Sequence, residues 1–100
     1  MRIEVTGKHI EVTPAIQQYA EAKCDRLTRY YDGVQEIVVV LSEQPKQKQF
    51  DVELRVPVEH HEDFVARSHG QDLYEAIDLC VDKMARQLTE FKERLKNTKR

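Results

Sequence analysis

The chain has 100 residues, 40% of them hydrophobic and 34% charged, with a formal net charge of −2. That length suits one domain with a modest core that needs no covalent staple, and that charge density implies a solvated surface. The longest apolar run, residues 37–41, is far too short to cross a bilayer, and no apolar leader follows Met1, so a cytoplasmic location is expected.

Residues 2–6 alternate polar and apolar, which predicts a strand with Ile3 and Val5 inward, broken by Gly7 and Lys8. Thr13-Pro14 reads as a helix start, with Thr at the N-cap and Pro where a missing N–H costs nothing. Over residues 14–30, Ile16, Ala20, Cys24 and Leu27 form one apolar stripe, and Asp32-Gly33 ends the element. Residues 34–41 are β-branched and apolar on both sides, as suits a central strand. After a turn at Gln44-Pro45-Lys46, Phe50, Val52, Leu54 and Val56 alternate with Asp51, Glu53 and Arg55, predicting a half-buried third strand. Residues 57–61 read as a turn, and residues 64–68 as a short fourth strand at a sheet edge.

Asp72 with Glu75 three residues on resembles a capping box. Leu73, Ile77, Cys80, Met84, Leu88, Phe91 and Leu95 then recur at spacings of three and four, predicting a helix to about Lys96. Such a helix is roughly 37 Å long, so its last turns overhang a small sheet, and a basic tail follows at 97–100. The order β-α-β-β-β-α predicts an α+β domain spanning residues 1–100: a two-layer sandwich with both helices on one face of a four-stranded sheet. The last three strands read as an antiparallel meander. The first can pair either way with the second.

Charge is unevenly distributed. Residues 83–100 hold seven Lys or Arg against two Asp or Glu, while residues 1–82 hold nine against sixteen. At 100° per residue, Lys23, Arg26 and Arg29 flank the first helix's apolar stripe, and Lys83, Arg86 and Arg94 flank the second's. Two parallel helices on one sheet face would let these strips meet over a shared groove, as phosphate binding requires. The plainer account is that basic stems cover core edges while their heads stay wet. Glu90 also interrupts the second strip, four residues before Arg94 in the favourable order for an ion pair.

Other chemistries find little support. The sheet's outer face would show Glu4, Val38, Val40, Asp51, Glu53 and Arg55, without the aromatics on which an RNA-recognition sheet stacks bases. The second helix begins with Asp72, Glu75 and Asp78, where a double-stranded-RNA-binding domain would want cations. The three glycines form no phosphate loop. His60 and His61 are adjacent in a turn and tend to point apart, so no metal or other cofactor is expected. Cys24 and Cys80 lie on apolar stripes outside any Cys-x-x-Cys motif and read as buried hydrophobes. The chain reads as a binding protein rather than an enzyme.

In order along nearly the whole chain, the residues resemble the short ribosome hibernation promoting factors and the related ribosome-associated inhibitor. That family is also called sigma-54 modulation proteins or ribosomal subunit interface proteins. The resemblance rests on Gly7, on Glu11-Val12-Thr13-Pro14-Ala15-Ile16, on Lys23 with Leu27, and on Val38-Val39-Val40-Leu41. Its most specific part is Gly70-Gln71-Asp72-Leu73-Tyr74-Glu75-Ala76-Ile77-Asp78, followed by Asp82-Lys83-Met84-Ala85-Arg86-Gln87-Leu88. It implies a fold like that of double-stranded-RNA-binding domains. It also implies binding to the small (30S) ribosomal subunit and its rRNA in the mRNA and tRNA channel, with no DNA or membrane partner. There the protein would block translation and preserve idle ribosomes. The family's basic positions fall on Lys23, Arg26, Arg29, Lys83 and Arg86. Two departures stand out: many relatives are more basic, and Glu90 stands where they often carry a cation. Longer relatives add a C-terminal dimerisation domain, so pairing of ribosomes would call for a separate dimerising factor. The alternative is a protein-interaction regulator that uses the acidic body or the outer sheet face.

Overall fold

The computed structural model describes residues 1–98 and follows the expected element order. β1 (Arg2–Lys8) leads to α1 (Pro14–Asp25), which tightens into a 3-10 turn at Arg26–Arg29. β2 (Glu36–Gln44), β3 (Gln49–Val58) and β4 (His61–Gly70) follow, with a second 3-10 turn, Pro45–Gln47, between β2 and β3. α2 (Leu73–Thr98) completes the fold. Both helices start on the expected caps. The Thr13 hydroxyl accepts from the Ile16 N–H at 3.2 Å, and Asp72 Oδ1 accepts from the Tyr74 N–H at 2.9 Å, each satisfying a donor that the helix leaves unpaired.

The strands lie in the order β1-β2-β3-β4, with β1 parallel to β2 and the other pairs antiparallel. This resolves the direction that periodicity left open: α1 is the crossover that a parallel pair needs. One consequence positions the site. α1 and α2 each run opposite to β2, so the two helices are parallel to each other. Tyr19 meets Tyr74, Lys23 meets Asp78, and Tyr31 meets Phe91, in the same order along both elements.

The strands exceed their expected ends. β1 continues through Gly7 and Lys8, which pair with Leu41 and Ser42. Gly7 is required for another reason: a Cβ there would lie 2.3 Å from the Ile10 carbonyl oxygen, so only glycine lets the following loop fold back so closely. β2 begins at Glu36 rather than Val34. β4 runs from His61 to Gly70, which shrinks the expected turn at 57–61 to Glu59 and His60, with His60 at φ 62°. The polar ends of this edge strand carry no hydrophobic signal; pairing with β3 extends them.

One core fills the space between the layers. Leu27, Ile37, Val39, Leu41, Leu54, Met84 and Leu88 are fully buried in it. α1 packs over β1, and α2 over β4 and β3. Beyond Leu88 and half-buried Phe91, residues 93–97 of α2 are all exposed, so the helix overhangs the sheet as its length implied. Among the described residues, no helix is long and apolar enough to cross a membrane. Cys24 and Cys80 are buried and unbridged. Burial pushes the Cys24 thiol up to about 12 and the Cys80 thiol up to about 11. Cys80 Sγ donates to the Ala66 carbonyl at 3.3 Å.

Candidate nucleic-acid interface

The parallel helices enclose a groove on the face away from the sheet. One stretch, about 200 Å³, is lined by Lys23, Arg26, Tyr30, Asp78, Asp82 and Ala85 with Val81. The next, about 360 Å³, continues along Tyr30, Asp82, Ala85, Arg86, Thr89 and Glu90. Lys23, Arg26 and Arg86 therefore share one groove, as expected. Three carboxylates share it with them: Asp78, Asp82 and Glu90. The groove is mixed in sign rather than a row of cations.

The remaining basic residues stand elsewhere, and the expectation that both strips meet needs correction. Lys83 leaves α2 on the opposite flank: its Nζ donates to the Arg67 carbonyl of β4 at 2.8 Å. Gln87 Nε2 donates to the Val65 carbonyl at 3.0 Å on the same side. Arg94 lies eleven residues, three full turns, beyond Lys83 and comes off that same flank among the exposed last turns. The flank of α2 that faces α1 carries Asp78 and Asp82 instead. Helical angles place charges beside a buried stripe, but strand order decides which side of that stripe meets the other helix. Arg29 is exposed in the 3-10 turn. Residues three apart eclipse in such a turn, so Arg29 stands on the same side as Arg26.

Two groups that sequence reasoning did not single out organise the groove. Tyr19 Oη donates to Asp78 Oδ1 at 2.6 Å, and Lys23 Nζ lies 3.4 Å from the same oxygen. Lys23 also sits 5.5 Å from the centre of the Tyr19 ring, and the Tyr74 ring meets Tyr19 edge-on at 4.8 Å. The bond to Asp78 is the main cause that pushes the Tyr19 phenol up to about 12, with burial adding to it. Asp78 thus ties the two helices together and partly neutralises Lys23. The sequence carries only a faint trace of this: Tyr19 and Lys23, and Tyr74 and Asp78, are each four residues apart on helical faces. Nothing local joins the two pairs.

At the other end of the helix layer, His61 stacks on Phe64 at 4.6 Å and meets Phe91 at 4.8 Å, and Tyr31 meets Phe91 at 5.2 Å. His60, its neighbour, has a side chain that is 90% exposed, so the two histidines do diverge. The outer sheet face bears an ion-pair lattice. Glu53 joins Arg67 at 2.9 Å and Arg55 at 3.6 Å, and Arg55 also reaches Asp63 at 3.6 Å. Its cations are thereby committed to neighbouring carboxylates.

The profile of the family described as sigma 54 modulation protein / S30EA ribosomal protein matches residues 3–96. The ribosome hibernation promoting factor of Escherichia coli (strain K12) is 36% identical over 96 residues, covering 96% of this chain and 98% of that protein. That of Klebsiella oxytoca is 35% identical over the same shares. Among solved structures, the Protein Y N-terminal domain of Thermus thermophilus superposes with a TM-score of 0.80 at 36% identity, covering 91% of this chain and 99% of that one. A ribosomal subunit interface protein from Coxiella burnetii gives a TM-score of 0.84 at 24% identity over 93% of this chain and 99% of that one, a likeness of fold.

Proposed function

The chain belongs to the sigma 54 modulation protein / S30EA ribosomal protein family, and from that premise we propose that it is a ribosome hibernation factor that binds the small subunit in the mRNA and tRNA channel. Bound there, it blocks translation and preserves idle ribosomes in the cytoplasm, acting by occupancy rather than by chemistry. The observation that carries the reading is the convergence of Lys23, Arg26 and Arg86 on one groove between parallel helices. Cations spaced along a groove hold a phosphate backbone by charge and by shape, and a folded RNA supplies both. Arg29 extends the contact from the end of α1. Lys83 and Arg94 form a second line on the β4 flank of α2, so the molecule grips with two faces of one helix.

The test is co-sedimentation with isolated small and large subunits across a potassium chloride series. The small subunit should carry the protein down at low salt and lose it steeply as salt rises. Arg26→Glu with Arg86→Glu probes the groove, and Lys83→Glu with Arg94→Glu probes the flank. Each pair should weaken binding. Unchanged binding in both would refute these sites, and no pelleting at low salt would refute the function.

A further inference from the structure

The sheet has two edges, and the fold treats them differently. At β4, α2 reaches over the side: Lys83 and Gln87 donate to the Arg67 and Val65 carbonyls, so two edge acceptors in the middle of the strand are occupied. At β1 no strand pairs with the outer side, among the described residues. The Arg2 N–H donates to the Gln35 carbonyl at 2.9 Å. In a parallel ladder alternate residues point both backbone groups at the same neighbour. Glu4 and Thr6 therefore also face β2, while Ile3 and Val5 direct their N–H and C=O groups away from the sheet. Rows of such groups are a template for another strand.

A groove of about 590 Å³ lies at the start of this open edge, between β1 and α1. Met1 and Ile3 line its floor, and Gln18, Glu21, Ala22 and Asp25 line its α1 wall. The wall residues are spaced at three and four, so they form one strip of helix. Its charged side chains, Glu21 and Asp25, are both carboxylates.

We propose that the β1 edge is a docking site for an extended, lysine- or arginine-rich segment of a partner protein, added as a fifth strand. Ile3 and Val5 supply main-chain hydrogen bonds. Alternate side chains of the added strand enter the groove, where apolar stems cover Met1, Ile3 and Ala22 and cationic heads meet Glu21 and Asp25. The charge selects this occupant over a second copy of the chain. Two β1 strands paired about a two-fold axis would bring both copies' Glu21 and Asp25 to one seam. The site is independent of the interhelical groove: it lies on the other side of α1 and has carboxylates but no Lys or Arg in its lining.

The test uses the full chain and a capped heptapeptide, Lys-Val-Lys-Thr-Lys-Val-Lys, followed by backbone amide shifts and hydrogen exchange. The Ile3 and Val5 amides should shift and gain protection, while the Val65 and Arg67 amides at the far edge should not change. Glu21→Lys with Asp25→Lys should weaken the peptide roughly tenfold or more while the rest of the spectrum stays in place, since two attractions become repulsions. The same peptide N-methylated at alternate residues should fail to bind. Shifts confined to α2, equal binding of the glutamate counterpart, or no shift at millimolar peptide would overturn the proposal. Protection of Ile3 and Val5 that rises with protein concentration alone would also overturn it, in favour of self-association.

Discussion

Replacing Asp78 by Asn isolates what the carboxylate does to the groove. Asp78 Oδ1 lies 3.4 Å from Lys23 Nζ and accepts the Tyr19 hydroxyl at 2.6 Å. The Asn side-chain oxygen can still accept from Tyr19, so the tie between the helices survives in neutral form. The ion pair is partly exposed, with side-chain accessibilities of 26% and 41%, and its loss should cost at most about 1 kcal/mol of stability. The effect on binding should be larger and opposite in sign. While Asp78 stays beside Lys23, that lysine adds almost no net charge to neutralise a phosphate. With Asn, Lys23 counts as a full cation. The slope of log K against log salt should then steepen by about 0.7 to 0.9, one added phosphate neutralised. That slope corresponds to roughly five- to eightfold tighter binding at 0.1 M than at 1 M salt, relative to the parent chain. The assay is the subunit co-sedimentation series with parent and variant side by side. A variant that binds more weakly with an unchanged slope would refute the reasoning. It would mean that Asp78 serves by holding Lys23 in place, with its own charge immaterial.

Leu88, fully buried where α2 crosses the core, should lose about 2–5 kcal/mol on replacement by Ala in urea unfolding, whereas Leu79, 46% exposed on the same helix, should lose under about 1 kcal/mol. Equal losses would contradict the placement of α2. Burial raises both thiols in the folded chain, to about 12 at Cys24 and about 11 at Cys80, from an ordinary value of 9.0. Keeping these thiols protonated therefore favours the fold fully below pH 9, and that contribution fades as pH climbs from 9 through 11 to 12. Alkaline unfolding should show this fall, and Cys24→Ala with Cys80→Ala should flatten it. A thiol reagent at neutral pH should label neither cysteine until the chain is unfolded; rapid labelling of the native protein would count against their burial.

Much of the fold was legible because local pattern and global packing agree. The alternation over residues 50–56 and the stripe from Leu73 to Phe91 each commit one face to the interior, and Thr13-Pro14 marks the start of α1. Pairing was not legible. Whether β1 runs with or against β2 depends on a crossover that no local residue encodes, and the polar ends of β4 are held only by the hairpin. The same gap explains the site. Lys23, Arg26 and Arg86 were found by helical spacing and do share a groove. Lys83 was read onto the same strip as Arg86, although it leaves α2 toward β4. Choosing between the flanks requires knowing that α1 lies over β1 while α2 lies over β3 and β4. Asp78 was noted only as acidic sequence at a helix start; its bond to Tyr19 spans 59 residues of chain.

The overhang of α2 has a bearing on how the molecule meets a partner before contact. Its last turns carry Lys92, Arg94 and Lys96 against Glu93, in a particle 51 Å long whose body is acidic. The screening length at physiological salt is about 8 Å. A large polyanion at a distance therefore senses the nearest end of the protein, not the sum of −2. The two ends experience forces of opposite direction, and the result is a torque that turns the particle helix-tip first as it approaches. A mildly acidic protein can thus be drawn to a negatively charged surface, provided that its charges are held apart by a rigid rod.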